Sequence, residues 1–500
     1  MFTDARELET GTTLEVDLCV VGAGAAGLAV TLELLDSSCS IAVVESGGRG
    51  PSDRTQQLAA GRARGRLFGR NNRYLSATRT RAFGGLGEDW HGSCRALDPE
   101  DLIVRSWVPA SGWPIDAATL DPYNARARSL FGIDVPARRD ERTGLLAADD
   151  AFESSWLDYS PRPSIAERFR GRFAQAGNVN VLTHANVVEI ALDEGGRRVV
   201  DLVARCLDGP ELVVRARYFV LAAGALENAR LLLASNGQRP HGIGNENDLV
   251  GRFFMEQVEM RAAYVALPGQ RRAMAGYDAV QAGDGGLHPV RAIMRPSARL
   301  QARHELLNSL ITFSPVAAAD IGELASHVGR LAAATARLDS DSTPDAAAEP
   351  YFGAVTLRSE QPPERRSRLV LGAERDELGV PRIDLAWRFD DHVVWSLRTT
   401  ARLLGENLGR RLLGRLQLRA TGRVNRRRFR WSAHQSGTTR MSREPSEGVI
   451  DTDCRLHDVS NLFVAGSSVF PTSGCSGPML TVVALSLRLG EHLRRLLASP

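Results

Sequence analysis

The sequence predicts an α/β protein: a parallel sheet assembled from separated stretches of chain, joined to an α+β region with an antiparallel sheet. Two observations predict it. Short apolar runs fit for buried parallel strands stand near both ends of the 500-residue chain, each followed by a glycine turn. Between them, from residue 255 to about 425, strand-like and helical patterns alternate under a changed composition. The expected organisation is therefore a first domain over 1–254 with loop and β-rich insertions, a substrate domain over 255–425, and a return to the first domain over 426–500.

The elements follow in order. Val16 to Val21 is an apolar strand, a glycine loop succeeds it, and Ala25 to Leu35 reads as a helix. Ser40 to Glu45 is a second apolar strand, which completes a β-α-β unit with its right-handed crossover. Gly50 to Gly85 is rich in Arg and Gly and reads as extended loop with short helices. Four strand-like runs, Asn178 to Leu182, Val187 to Leu192, Arg198 to Cys206 and Glu211 to Arg215, suggest a β-rich insertion. Tyr218 to Ala223 is a further buried strand, and Leu226 to Ser235 a helix. Met260 to Ala266 and Arg368 to Leu371 read as strands, and Ala332 to Glu349 as a mobile surface excursion. Asp391 to Leu408 has helical spacing, Asn461 to Ala465 is a strand, and Pro478 opens a last helix that runs to about Leu497.

Composition narrows the function classes. With 43% apolar and 24% charged residues the chain can bury a large core. A net charge of +3 gives no electrostatic case for nucleic acid or an anionic membrane. All 62 basic residues are arginine, so chemistry that needs a Schiff-base lysine is excluded. The six cysteines form no C-x-x-C pair and suggest neither a metal site nor a disulfide framework. The start, Met1 to Glu15, is polar and acidic, and no apolar run approaches the ~20 residues of a membrane span. The expectation is a cytoplasmic protein that binds neither membrane nor nucleic acid. Arg426 to Arg430 reads as a solvated strand edge.

The motif Gly22-Ala23-Gly24-Ala25-Ala26-Gly27 lies between the first strand and first helix. Gly22 permits the turn, Gly24 admits a pyrophosphate, and Gly27 allows close helix–strand packing. The helix start at Ala26 offers N–H groups and a positive dipole end to phosphates. Glu45 ends the second strand, placed to hold ribose hydroxyls. This is a Rossmann-type dinucleotide site, and the acid favours an unphosphorylated ribose, as in FAD or NAD. The N-terminal position of the unit, and its rebuilding near the far end of the chain, favour FAD.

Further motifs occur in order along the chain: Glu45-Ser46-Gly47-Gly48, Arg81-Ala82-Phe83-Gly84-Gly85, Asp89-Trp90-His91-Gly92 and Ser111-Gly112-Trp113-Pro114. Later come Ala222-Ala223-Gly224-Ala225-Leu226-Glu227, His434-Gln435-Ser436-Gly437-Thr438 and Ala465-Gly466-Ser467-Ser468. In these motifs the chain resembles the glucose–methanol–choline (GMC) oxidoreductases, especially their bacterial, pyranose-oxidase-like branch. The resemblance implies FAD-dependent oxidation of an alcohol by hydride transfer to flavin N5. It implies that Gly84, Gly85, Trp90 and Gly92 lie near the isoalloxazine, with Ser46, Arg81 and His91 beside the cofactor. Val187 would meet the adenine, Ala223 and Gly224 the adenosine half, and Gly466 and Ser467 the pyrophosphate or ribityl chain. Pro478 and Met479 would edge the flavin pyrimidine, where the last helix's dipole would stabilise negative charge on the reduced ring.

The resemblance makes His434 the general base for the carbinol proton. Two positions depart from the family pattern. A second His or Asn is usual where this chain has Gly477, so a water, Ser476 or a substrate group would fill its place, or the redox step is altered. The histidine that bonds the flavin in some relatives is here Asp89, which implies non-covalent FAD. The branch implies a sugar-like substrate, an amino sugar such as an aminoglycoside included; Glu88, Asp89 and Glu256 are candidate lures for its positive charge. A sterol or polyketide alcohol, a non-redox lyase, and a protein that keeps FAD only for structure are the alternatives. The electron acceptor, oxygen or another, and the oligomeric state are not legible.

Overall fold

A computed structural model describes residues 1–68, 72–133, 150–278, 280–281, 288–324, 326, 349–419 and 429–498. The first sheet is a parallel core with an antiparallel extension. Its order is Phe2–Asp4, Val179–Thr183, Ile41–Val44, Thr13–Val21 and Glu211–Leu221, all parallel. Leu462–Val464 joins the end of Glu211–Leu221, again in parallel. Val199–Arg205 and then Asn186–Leu192 extend its beginning in antiparallel fashion. Two expectations change here. The strand at 179–183 belongs to the parallel core, not to a β-rich insertion. Glu211 to Arg215 and Tyr218 to Ala223 form one strand, because polar Arg215 and Arg217 lie at the rim, where they pair with Asp201 and Asp17.

The first helix, Ala25–Leu32, is shorter than expected and buried from Ala26 to Thr31. It packs against the last helix, Met479–Ala498, which keeps the two ends of the chain together. The helix Asp391–Arg410 covers the second sheet. That sheet is antiparallel: Arg415–Leu418, Val258–Leu267, Tyr351–Ser359, Ser309–Pro315, Val290–Pro296, Phe152–Tyr159 and Ser93–Cys94, with Phe429–Trp431 beside Val258–Met260. Its strands thus fall on both sides of the span 255–425. A small third sheet pairs Gly61–Arg64 with Pro381–Ala386 and Arg368–Arg375, so the Arg- and Gly-rich stretch after residue 50 contains a strand as well as short helices. Residues 332–348 and 426–428, read above as a surface excursion and part of a strand edge, lie outside the described residues. Among the described residues no helix is long and apolar enough to cross a membrane.

A buried ion pair joins the loop after Pro99–Leu102 to the end of strand Tyr351–Ser359. Arg105 grips Glu360 with both terminal nitrogens, at 2.5 and 2.9 Å, and both side chains are essentially inaccessible. Glu360 also accepts the backbone N–H of Asn308. Breaking such a pair leaves a buried charge without its counterion. Arg105→Met is expected to lower the unfolding free energy by about 3–5 kcal/mol, read from urea denaturation. Arg105→Met combined with Glu360→Met should recover most of that loss.

Candidate active site

The parallel strands Thr13–Val21, Ile41–Val44 and Glu211–Leu221 end at the walls of one cleft, the ordinary ligand position in an open α/β sheet. Its walls include Gly22, Gly24, Ala26, Glu45, Ser46, Arg81, Gly85, Val187, Ala223, Gly224, Gly466, Ser467, Pro478 and Met479. The glycines divide into two kinds. A Cβ on Gly27 would lie 2.0 Å from the Gly22 carbonyl oxygen, so this position exists for packing. A Cβ on Gly24 or Gly224 would meet nothing within 4 Å, so these two leave room in the cleft.

Three features fit this cleft to FAD. The Ala25–Leu32 helix has no side-chain cap, which leaves N-terminal N–H groups for a phosphate. Glu45 is buried at the end of its strand and accepts the N–H of Ala23 at 2.9 Å and of Gly47 at 2.8 Å. Burial raises its pKa and these N–H groups oppose the rise; the carboxylate still has acceptor sites for ribose hydroxyls. In the opposite wall Arg79, Arg81 and Arg230 converge on Glu227, while Arg230 also holds Asp376. Burial works to raise the Glu227 pKa, but Arg81, Arg230 and Arg79 hold it well below the carboxylate range. Arg81 Nε is buried without a partner, a donor that an anionic ligand would satisfy.

Other expected residues stand elsewhere. Trp90 packs edge-on against Phe131, with ring centroids 4.8 Å apart. His91 is exposed, and Gly92, at φ +83°, abuts the backbone of Ser160. Gly84 donates its N–H to Ala23 and fixes the loop that carries Gly85. None of these four lines the cleft.

His434 lies beside the cleft wall formed by Ala433 and Gln435. Its backbone N–H donates to Glu256 Oε1 at 2.7 Å, and its ring Nδ1 is 2.7 Å from Gln257 Oε1. Gln257 Nε2 donates to the carbonyls of Gly474 and Ser476, each at 2.7 Å, and of Ser473 at 3.3 Å. Those three acceptors orient the amide, so its oxygen faces the imidazole and Nδ1 must carry the proton. Nε2 keeps its lone pair. Burial, and then the charge of Arg358, lower the His434 pKa to about 3, which maintains the neutral ring. The result is a base with one open nitrogen.

Glu256 is corrected as a lure for a cationic substrate. It is fully buried, takes the Tyr74 hydroxyl at 2.5 Å and serves the backbone of residues 434 and 257. Burial raises its pKa to about 7. Glu88 accepts the Ser164 hydroxyl and Asp89 the Thr80 hydroxyl, so both are engaged locally. Ser476 accepts from Arg95 Nη1 at 2.8 Å. Sequence reasoning missed Gln257; the only available signal was an amide next to an acid, Glu256-Gln257, and nothing local connects it to residue 434.

A dinucleotide cleft with a tautomer-locked imidazole at its edge can serve a cofactor-dependent redox reaction at a proton-bearing group. Two models of GMC oxidoreductase match residues 161–257 and 363–486. These are the N- and C-terminal domain models of the GMC oxidoreductases, whose members are FAD-dependent alcohol oxidoreductases. The chain is similar to the fructose dehydrogenase large subunit of Gluconobacter japonicus, with 27% identity over 56% of this chain but only 47% of that protein. It is also similar to 6'''-hydroxyparomomycin C oxidase of Streptomyces lividus, 23% identical over 98% of this chain and 94% of that one. The fold matches the solved pyridoxine 4-oxidase of Mesorbium loti with a TM-score of 0.55 and 17% identity, covering 96% of this chain and 99% of that structure.

The locked tautomer carries two expectations. Gln257→Leu should lower kcat by about tenfold to a hundredfold while leaving FAD content unchanged. Because only the neutral ring accepts a proton and its pKa is lowered to about 3, kcat/KM should not fall with a midpoint near the ordinary histidine value of about 6.5. It should hold down to about pH 5; a limb near 6.5 in the pH profile would contradict the burial argument.

Proposed function

We propose that this protein oxidises a carbinol of a sugar-like molecule, with His434 Nε2 taking the hydroxyl proton. The observation that carries the reading is the Gln257 bridge, which commits Nδ1 and leaves Nε2 open. When bound, FAD supplies the acceptor for the hydride that leaves the carbinol carbon. His434 orients the hydroxyl and removes its proton, a contribution of about 10²–10⁴ in rate. The start of the Met479–Ala498 helix lines the cleft through Met479 and brings a positive dipole end to it.

The sugar-like substrate is supported by two relatives, one named for fructose and one for a hydroxyparomomycin. Amino sugars therefore belong among the first compounds to test; of the three carboxylates expected to attract them, Glu256 is buried within the protein, while Glu88 and Asp89 stay exposed. FAD is held without a covalent bond, since the position that carries a bonding histidine in some relatives is Asp89, an exposed carboxylate. The dinucleotide cleft, the glycine turn at 22–27 and Glu45 are the non-covalent grip.

The test is anaerobic titration of the yellow holoenzyme with D-fructose, D-glucose, paromomycin, cholesterol and 1-butanol, read by flavin bleaching. A carbohydrate should bleach it, and His434→Ala should slow bleaching by about 10²–10⁴. Bleaching by cholesterol or butanol alone would overturn the substrate class, and an undiminished rate in His434→Ala would overturn the base. Admission of air then tells an oxidase from an enzyme with another acceptor. Acid precipitation should leave all the flavin in the supernatant; flavin in the pellet would refute the non-covalent reading.

A further inference from the structure

Gly477 leaves a gap. A Cβ built on it would lie 3.6 Å from His434 Cε1, 3.7 Å from His434 Nε2 and 4.0 Å from Ser93 Oγ. The open nitrogen of the base and a serine hydroxyl therefore face the same small space. Ser93 sits on the two-residue strand Ser93–Cys94, where it pairs with Tyr159. Arg95 reaches Ser476 and Asp98, while Cys94 is fully buried. The side of the strand that carries Ser93 thus faces the loop of residues 473–477, and Arg95 and Ser476 pin strand and loop together one step away. Ser93 itself is only half-buried.

We propose that Ser93 is a catalytic residue: its hydroxyl donates to the substrate carbinol oxygen in the space it shares with His434 Nε2. The inference rests on the reading of His434 as base. The O–H and C–H bonds of the carbinol break and its C=O bond forms. The proton passes to Nε2, and the hydride, with its electron pair, to bound FAD. As the proton leaves, negative charge grows on the carbinol oxygen, and a pre-placed donor there stabilises the transition state more than the ground state. Ser93 is suited to that role, because a hydroxyl can donate to the oxygen without competing for its proton at neutral pH. Neighbouring Ser476 accepts from Arg95. The absence of a side chain at 477 is what lets a carbinol reach both groups.

The experiment compares holoenzymes of wild type, Ser93→Ala and Ser93→Thr, with the carbohydrate of the panel that bleaches wild type fastest. Ser93→Ala should reduce the rate of flavin reduction at saturation by about 100-fold, with KM changed far less and FAD content and melting temperature unchanged. Ser93→Thr, which keeps the hydroxyl, should recover most of the rate. A crystal soaked with the same carbohydrate should place one hydroxyl within hydrogen-bond distance of both His434 Nε2 and Ser93 Oγ. A Ser93→Ala rate within threefold of wild type, or a bound hydroxyl that meets His434 but not Ser93, overturns the assignment of Ser93 and leaves His434 standing. If no panel alcohol bleaches wild type, the base reading fails and this inference fails with it.

Discussion

The amide of Gln257 joins two parts of the molecule that chemistry needs together. Its nitrogen gathers the carbonyls of residues 473, 474 and 476, and its oxygen fixes the imidazole of His434. An amide rotated by half a turn would face three carbonyls with its own oxygen and lose all of those bonds. The loop therefore dictates the tautomer, and the tautomer decides which nitrogen keeps its lone pair. Glu256, the preceding residue, holds the backbone of His434 from below and is itself held by Tyr74. Ring position and ring protonation are thus set by adjacent residues on a single segment.

What supports that loop is a buried polar network. Thr472 donates its hydroxyl to the carbonyl of Asp101 and accepts from Trp113. Arg95 links Asp98 to Ser476, and Asn308 bonds both Asp98 and Asp101. Burial and neighbouring carboxylates raise the pKa of Asp101 to about 7. Such networks are costly when incomplete and rigid when satisfied. Here the network stands behind the 473–477 loop, while the parallel strands and the glycine turn form the cleft beside it. The cleft and the fixed imidazole meet at residues 433–435 and 477–479.

Much of the cleft was legible because its signals are local. Gly22 to Gly27 and Glu45 follow from a strand, a turn and a helix within thirty residues, and they line or support the cleft as read. The last helix was marked by Pro478 and its apolar spacing. Illegible features are those that depend on distant pairing. Phe2–Asp4 is a strand only because Val179–Thr183 lies next to it, and Phe152–Tyr159 joins the second sheet through Val290–Pro296. Glu256 looks like any acid beside a motif, and only its burial against Tyr74 removes it from the substrate. Trp90 and Gly92 lie in a recognisable motif, yet here they pack on Phe131 and Ser160. Ser93 had no signal at all, since its significance comes from the missing side chain of Gly477.

The most direct test of the central claim is the nitrogen NMR spectrum of histidine-labelled holoenzyme, assigned by its loss in His434→Ala. A proton on Nδ1 and none on Nε2, unchanged from neutral pH to about pH 5, is the result this account expects. A proton on Nε2, or a doubly protonated ring at neutral pH, would contradict it, because the nitrogen facing the substrate would then have no lone pair to offer.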